Sequence, residues 1–311
     1  MSRGLAMMES IQKTSDAPIK FTVLAMDDST SQFLQSIKIA NLQVIHLNDF
    51  TDTEFQTLAQ VRPFRELCWT AASCLVRHIF KIDAESDFII YVDSDCYFYS
   101  DILEMTTNWA GGSNIFVHEH RYSPLRKLWE DSAGRFNVGV VGFRGKSDEA
   151  WKCLERWRLQ VIAVCELNPE KGLCGDQAYL NEWPDLYPGL QIMRSAGEGA
   201  APWNVEPLLA RRNKKKVLVD EQILIFYHFH ALRLGINKKL RILCSKLAYG
   251  YVIPFSFRKF VYSPYLRHLR TINRRLRDAG YTFNDIGVAE LSAKEIFSGS
   301  GSKQRLIQLL L

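Results

Sequence analysis

The sequence predicts an α/β fold, because short apolar runs alternate with longer amphipathic segments. The short runs are rich in β-branched and aromatic residues, which is typical of buried strands. They cover residues 21–26, 43–46, 88–92, 115–118 and 137–143. Such an alternation indicates one sheet with helices on both faces.

Two long segments between these runs have helical periodicity. Residues 63–80 begin with Pro63, which is favoured in a first helical turn, and residues 148–164 follow the same pattern. The apolar residues that recur at spacings of three or four are Leu67, Ala71, Cys74, Leu75 and Ile79 in the first segment and Trp151, Leu154, Trp157 and Val161 in the second.

The pattern divides the chain into three regions. Residues 1–20 are polar and mixed, which predicts a flexible tail. Residues 21–232 form the predicted catalytic domain, which ends in a candidate strand at 222–230. Residues 233–311 form a basic, partly helical C-terminal extension, whose amphipathic helix over 265–277 would pack on the domain or on a membrane surface. Glycine and serine at 298–302 indicate a flexible linker.

Composition is that of an ordinary globular protein. Of 311 residues, 47% are apolar and 23% charged, and no apolar run is long enough to cross a bilayer, so we expect a cytoplasmic chain. Seven cysteines without a CxxC pair indicate reduced side chains rather than disulfides or a zinc site.

Charge is more informative in its placement than in its total. A net charge of +5 does not indicate a nucleic-acid partner. Basic residues cluster at 211–216, and residues 233–277 contain no acidic residue. This favours a polyanionic partner such as donor phosphates, a lipid-linked acceptor or an anionic membrane surface. A solvated basic face is the alternative.

An acidic pair follows the most apolar strand. Residues 88–92 lead directly into Asp93-Ser94-Asp95, and an extended backbone would place both carboxylates on one side. Ligands bind at the carboxyl edge of open α/β sheets, and hard oxygen donors there suit Mg²⁺ or Mn²⁺.

Two histidines are candidates for a third ligand. Tyr227-His228-Phe229-His230 places both imidazoles on one face of a strand. They could be half-buried structural histidines, but Mn²⁺ accepts mixed nitrogen and oxygen ligands.

These motifs occur in an order that resembles a known family. Along the chain they are Asp27-Asp28, residues 65–70 (RELCWT), Asp93-Ser94-Asp95, residues 136–140 (FNVGV), Gly175-Asp176-Gln177 and His228-Phe229-His230. Over residues 21–232 the sequence resembles bacterial nucleotide-diphospho-sugar transferases of the GT-A superfamily. It is more remotely similar to glycogenin-like and lipopolysaccharide galactosyltransferase-like enzymes.

The resemblance implies a GT-A (Rossmann-like) mixed sheet with flanking helices and a metal-dependent glycosyltransferase. Asp93, Asp95 and His228 would hold Mn²⁺ or Mg²⁺ on the donor diphosphate, with His230 as the alternative ligand. The implied donor-binding residues are Asp27, Asp28, Arg65, Asp93, Ser94, Asn137, Gly139 and Lys238. Asp176 and Gln177 would bind sugar hydroxyls or assist the chemistry, and Trp203 and Asn204 would lie on the acceptor side.

Several of these residues have a structural alternative. Asp27 and Asp28 could form an ordinary turn after a strand, and Arg65 could be a solvent-facing helix charge. Gly139 could belong to a core strand, and Asp176 could be a helix N-cap. Lys238 departs from the pattern of the remote relatives, which carry a Gly-x-x-Lys-Pro-Trp element after the histidine, because this chain lacks the Pro-Trp pair.

The implied partners are a nucleotide-sugar donor, with UDP-sugars favoured, and a glycan or lipid-linked acceptor in bacterial surface-polysaccharide synthesis. The setting would be the cytoplasm, peripheral to the inner membrane face. Two other classes share the fold: a sugar-nucleotide nucleotidyltransferase, which usually has a Gly-rich loop where this chain has Asp27-Asp28-Ser29-Thr30, and a non-catalytic binding protein. A two-metal nuclease or phosphatase would need more clustered carboxylates. The sequence leaves a retaining or an inverting outcome open.

Overall fold

Helices and strands alternate along the chain as the sequence predicts. The computed structural model describes residues 1–106, 112–237, 242–247, 249–282, 288–290 and 307–310. Its helices are α1 (Ser2–Thr14), α2 (Asp28–Ser36), α3 (Thr53–Ala59), α4 (Phe64–Ile82), α5 (Glu130–Ala133), α6 (Asp148–Ala163), α7 (Trp183–Leu186), α8 (Phe255–Phe257) and α9 (Ser263–Asp278).

The strands are mostly short. They are β1 (Phe21–Ala25), β2 (Leu42–His46), β3 (Phe88–Val92), β4 (Cys96–Phe98), β5 (Ile115–Glu119), β6 (Phe136–Arg144), β7 (Leu167–Asn168), β8 (Leu173–Cys174), β9 (Leu190–Met193), β10 (Ala210–Asn213), β11 (Lys216–Val219), β12 (Gln222–Ile223), β13 (Phe226–His228), β14 (Leu232–Asn237), β15 (Ile242–Leu247), β16 (Val288–Glu290) and β17 (Ile307–Leu310). The five strands predicted before residue 144 are all present.

A mixed four-stranded sheet lies at the centre, in the order β3-β6-β5-β9. Strand β6 is antiparallel to both β3 and β5, whereas β9 is parallel to β5. Strands β1 and β2 form a separate parallel pair, and β4 pairs antiparallel with β13. The predicted mixed sheet with flanking helices is therefore confirmed.

Helices α4 and α6 cover one face of this sheet. Val76 of α4 and Trp157 of α6 pack with Val141 and Phe143 of β6 in one buried cluster. Burying a large apolar side chain fully contributes about 1.5–3 kcal/mol. The Trp157 indole N–H donates to the carbonyl of Asp176 over 2.9 Å, so this cluster also fixes a predicted site residue.

The prediction of a flexible tail at residues 1–20 is wrong for residues 2–14, which form α1. Leu5, Met8 and Ile11 recur every three residues and are buried in the same core as α9 and β4. The Ser10 hydroxyl accepts a hydrogen bond from the backbone N–H of Phe98 over 3.0 Å. Two buried serines, Ser2 and Ser10, lower the average apolar character of the segment, so its helical periodicity is less pronounced.

Helix α9 confirms the predicted amphipathic helix and packs on the domain. Its apolar residues Leu266, Leu269, Ile272 and Leu276 are buried in the core that contains α1. That apolar side is therefore not available to lie in a membrane. Among the described helices, none has the length and apolar character that crossing a bilayer requires.

The predicted strand at 222–230 is two short strands. Strand β12 pairs with β11, whereas β13 pairs with β4 in a different sheet. Between them the N–H groups of Leu224 and Ile225 donate to the carbonyls of Val217 and Gly197. The chain therefore passes from one sheet to another here, and this places His228 opposite Cys96, the first residue of β4.

Candidate metal and donor site

The acidic pair lies in a tight turn between β3 and β4. The backbone N–H of Cys96 donates to the carbonyl of Asp93 over 3.0 Å, so residues 93–95 are not an extension of the strand. Strand alternation is therefore the wrong explanation for the shared side of Asp93 and Asp95. The turn brings the two carboxylates together, and it leaves Ser94 exposed.

His228 completes the group from the neighbouring strand, because β13 pairs with β4 and places His228 opposite Cys96. Its Nε2 atom lies 3.0 Å from Oδ1 of Asp95 and 3.7 Å from Oδ2 of Asp93. One ligand atom from each of the three residues lies within 4.8 Å of the other two. Two carboxylates and an imidazole at these separations fit a divalent cation such as Mn²⁺.

The His228 side chain is almost fully buried, whereas Asp95 and Asp93 are 20% and 35% exposed. Burial opposes the charged forms, but the mutual attraction of Asp95 and His228 prevails. It holds the pKa of Asp95 below its ordinary value and raises the pKa of His228. A divalent cation bound here would take the place of the proton on Nε2.

Asn137 orients the His228 ring. Its Oδ1 atom accepts the N–H of Gly139 at 2.9 Å, so the oxygen of this amide is the atom that faces Nδ1 of His228 at 3.1 Å. Nδ1 must then donate, which leaves Nε2 directed at the carboxylates. Hydrogen bonds of this kind fix the tautomer of metal-ligating histidines.

Gly139 makes this arrangement possible. A Cβ atom at residue 139 would lie 2.5 Å from Nδ1 of His228 and 2.6 Å from Oδ1 of Asn137. The glycine was predicted to let its backbone approach a ligand closely. The structure instead places its Cα against His228, one of the three residues of the candidate metal group (Asp93, Asp95 and His228).

The hydrogen bonds extend to Gln177. Its Oε1 atom accepts from Nδ2 of Asn137 over 3.3 Å, and its Nε2 atom donates to the carbonyl of Ala133 over 2.7 Å. Tyr91 holds the other end of the site by donating to Oδ1 of Asp93 over 2.7 Å.

Asp176 lies beside this network and is buried. The burial, with a smaller effect of Asp93, raises the pKa of Asp176 well above its ordinary value. The neutral form of Asp176, a hydrogen-bond donor, therefore persists to a higher pH than that of an ordinary aspartate. The following 3₁₀ helix, Ala178–Glu182, receives no capping hydrogen bond from a side chain, so Asp176 is not a helix cap.

Comparison with known proteins gives two sequence relatives, both from Bacillus subtilis (strain 168). The uncharacterized protein YfnD is 29% identical over 265 residues, which cover 85% of this chain and 83% of YfnD. The uncharacterized protein YfnF is 26% identical over 243 residues, or 75% of this chain and 78% of YfnF. No protein-family model matches the chain.

Among solved structures, the galactosyltransferase LgtC, in complex with donor and acceptor sugar analogs, superposes with a TM-score of 0.52. The match covers 89% of this chain and 95% of LgtC, at 14% sequence identity. The chain has a GT-A fold. The resemblance in the sequence is therefore confirmed at the level of architecture, and in this GT-A fold the candidate metal ligands Asp93, Asp95 and His228 lie where β3 ends.

Arg65 lies on the exposed first turn of α4. Its guanidinium lies 5.2 Å from the centroid of the Trp69 ring, and a Cβ atom at Gly175 would lie 2.8 Å from the same ring. Trp69 thus contacts both Arg65 and Gly175, the residue that precedes Asp176. A donor contact by Arg65 stays a prediction.

Asp27 and Asp28 begin α2 at the end of β1. Asp27 accepts the backbone N–H of Thr30 over 2.7 Å and its hydroxyl over 2.8 Å, so it caps the helix. Asp28 lies 2.7 Å from Nε2 of His46 and its side chain is 83% exposed. The structural alternative therefore holds for Asp27, and nucleoside contacts by the pair stay a prediction.

The predicted acceptor-side residues are buried behind the histidines. Trp203 and Asn204 both donate to the carbonyl of His120 over 2.9 Å. The Trp203 ring packs edge-on against His228 at 5.3 Å and His230 at 5.4 Å. Trp203 and Asn204 thus support the histidines, and their place on the acceptor side of the site stays a prediction.

His230 does not join the three-residue metal group among the described residues. Its ring stacks on Tyr249 at 5.9 Å, and burial lowers its pKa to about 4. His228 is therefore the better placed of the two predicted ligands.

Two predicted features stand apart. Lys238 and the linker at 298–302 lie outside the described residues.

The sequence analysis did not predict Arg3 as a site residue, although its Nη1 atom lies 4.0 Å from Oδ2 of Asp95. The three-residue spacing of Leu5, Met8 and Ile11 is the sequence signal that could have placed it on a packed helix.

Proposed function

We propose that this chain is a metal-dependent glycosyltransferase that moves a sugar from a nucleotide-diphosphate sugar, with UDP-sugars favoured, to a glycan or lipid-linked acceptor. The observation that carries the proposal is the convergence of Asp93, Asp95 and His228 at the end of β3 within a GT-A fold. LgtC, with the same fold, is a galactosyltransferase solved with donor and acceptor sugar analogs.

Asp93, Asp95 and His228 would hold Mn²⁺ or Mg²⁺, and the ion would act as a Lewis acid that offsets the charge developing on the leaving diphosphate. Asn137 keeps Nε2 of His228 directed at the two carboxylates. Tyr91 fixes one oxygen of Asp93 by hydrogen bonding. The protein thus preorganises the site before the donor binds, which is how fixed charges contribute most to catalysis.

Asp176 and Gln177 are proposed to contact the sugars. The raised pKa of Asp176 favours a carboxylic acid that donates a hydrogen bond to a sugar hydroxyl. Gln177 is bonded to Asn137, so a sugar contact by Gln177 would be coupled to the orientation of His228.

The proposed setting is bacterial surface-polysaccharide synthesis in the cytoplasm, at the inner face of the membrane. Arg267 and Arg274 are exposed on α9, whereas its apolar residues are buried. Membrane binding would therefore be electrostatic. Sedimentation with phosphatidylglycerol vesicles at low salt tests this part, and absence of co-sedimentation would contradict it.

The donor site is tested by isothermal titration of UDP- and GDP-sugars with and without Mn²⁺. We expect metal-dependent binding in the wild type and its loss in Asp95→Ala. Asp87→Ala is the matched control, because Asp87 is exposed and lies at the opposite end of β3. Equal binding without metal, or no binding of any donor, would contradict the proposal.

A further inference from the structure

Helix α1 brings a positive charge to the metal group. Nη1 of Arg3 lies 4.0 Å from Oδ2 of Asp95, and its Nη2 atom donates to the carbonyl of Leu232. The other oxygen of this carboxylate, Oδ1, faces His228. Asp95 thus lies between the imidazole and the guanidinium. Within the described ranges, Arg3 is the only lysine or arginine that forms an ion pair with Asp93 or Asp95.

The position of α1 does not depend on this contact. Its apolar residues are buried, and Ser10 accepts the Phe98 N–H. Glu9 lies 2.8 Å from Nε2 of His268 and 2.7 Å from Nη1 of Arg275, both on α9. Arg3 can therefore change its hydrogen-bond partner while the helix that carries it stays in place.

The chemistry of the side chain suits a phosphate ligand. A guanidinium has five N–H donors in a planar fork that matches phosphate oxygens. The Arg3 side chain keeps 29% of its surface exposed, so it is accessible from solvent. A divalent cation bound to the carboxylates would weaken the attraction between Asp95 and Arg3. A diphosphate bound to the same ion would then place a new anion near Arg3.

We propose that Arg3 is a donor-binding residue that hydrogen-bonds the diphosphate of the nucleotide sugar beside the metal group. This inference rests on the proposed function, because it assigns Arg3 to the same donor. Arg3, on helix α1, would supply the positive charge that the sequence resemblance assigned to Lys238.

The test compares ligands that differ in their phosphates. Wild type, Arg3→Ala, Arg3→Lys and the control Lys13→Ala are titrated with Mn²⁺ alone, and then with pyrophosphate, UDP and UMP in the presence of Mn²⁺. Lys13→Ala removes the same charge from the exposed last turn of α1. Thermal unfolding of each variant establishes that α1 remains packed.

We expect Arg3→Ala to weaken pyrophosphate and UDP binding about 10- to 100-fold, as the loss of hydrogen bonds to a charged group predicts. Arg3→Lys should lose less, UMP should change less than UDP, and Mn²⁺ alone should bind at least as tightly as to wild type. Unchanged pyrophosphate and UDP affinity in Arg3→Ala would overturn the inference. So would an equal loss for Mn²⁺ alone, since Arg3 would then only position Asp95.

Failure of the proposed function gives a different result. If the wild type binds pyrophosphate with Mn²⁺ but no nucleotide sugar, the donor assignment is wrong, and the pyrophosphate titrations still decide whether Arg3 contacts a diphosphate.

Discussion

Nε2 of His228 lies 3.0 Å from Oδ1 of Asp95 because His228 is paired in register with Cys96, the residue that follows Asp95. Side chains alternate between the two faces of a strand, so a slip of one residue in this pairing would replace the imidazole with an aromatic ring. Tyr227 and Phe229, the neighbours of His228, are both fully buried on the core side. The register of two short strands therefore determines whether a metal ligand is present.

Gly139→Ala is expected to reduce the affinity for Mn²⁺ about 10- to 100-fold, the usual cost of disturbing the groups that orient a metal ligand. The added Cβ atom would meet His228 Nδ1 at 2.5 Å and must displace the ring. Isothermal titration of Mn²⁺ measures the change. Gly172→Ala is the control, because nothing lies within 4 Å of its Cβ position, so it adds the same methyl group without a clash; its φ of +68° affects only the local backbone. Wild-type affinity in Gly139→Ala would contradict the packing described for His228.

Ser10→Ala is expected to lower the free energy of unfolding by about 1–3 kcal/mol, because the buried N–H of Phe98 would lose its acceptor. Urea denaturation measures the loss. Lys13→Ala, on the exposed side of the same helix, should change it little. Equal stabilities of the two variants would mean that α1 does not pack on β4 in solution.

Arg158→Ala is expected to lower the free energy of unfolding by about 3–5 kcal/mol. Arg158 is 3% exposed and makes two hydrogen bonds to Asp52, at 2.7 and 2.8 Å, so its removal leaves this buried carboxylate with Arg77, 3.8 Å away, as its remaining cationic partner. The control is Arg156→Ala on the same helix, whose pair with Glu182 is exposed and should contribute little to stability. Similar losses in both variants would contradict the burial of the Arg158 pair.

Glu9 is expected to make the contact between α1 and α9 sensitive to acid. Hydrogen bonding from His268, then from Arg275, lowers the pKa of Glu9 below its ordinary value of 4.5, although burial opposes the shift. A lowered pKa stabilises the fold above pH 4.5, and this contribution is lost as the pH falls through the pKa of the folded state. The stability difference between wild type and Glu9→Gln should therefore shrink from pH 7 to pH 3. Urea denaturation across this range checks it, and a constant difference would show that Glu9 is not ionised in this contact.

The central sheet could be predicted from sequence because its strands have simple patterns. Residues 88–92 and 137–143 are continuous apolar runs, and the structure has β3 and β6 at those places. Helix α1 could not be recognised in the same way, because buried Ser2 and Ser10 make its packed side look polar. The Ser10 hydroxyl is stable there only because a backbone N–H from a distant strand meets it.

The site was predictable in its residue types and less so in its geometry. Asp93 and Asp95 follow an apolar strand, but the turn that joins their carboxylates is flanked by long-range hydrogen bonds, from the Asp93 N–H to Gly139 and from the Phe229 N–H to Asp95. The roles of Trp203 and Asn204 as buried supports depend on the His120 carbonyl, a long-range partner that the sequence does not reveal. Local patterns thus selected the three residues that the structure brings together, Asp93, Asp95 and His228, and long-range hydrogen bonds determined what surrounds them.

The packing of α1 against α9 has a consequence for the order of folding during synthesis. Glu9 leaves the ribosome early, whereas His268 and Arg275 follow after most of the chain has been made. Contacts so far apart in sequence form late, because a long loop must close first. A nascent chain that stops before residue 263 would therefore lack α9, and the sides of Leu5, Met8 and Ile11 that α9 covers would be apolar surface of the kind that chaperones bind.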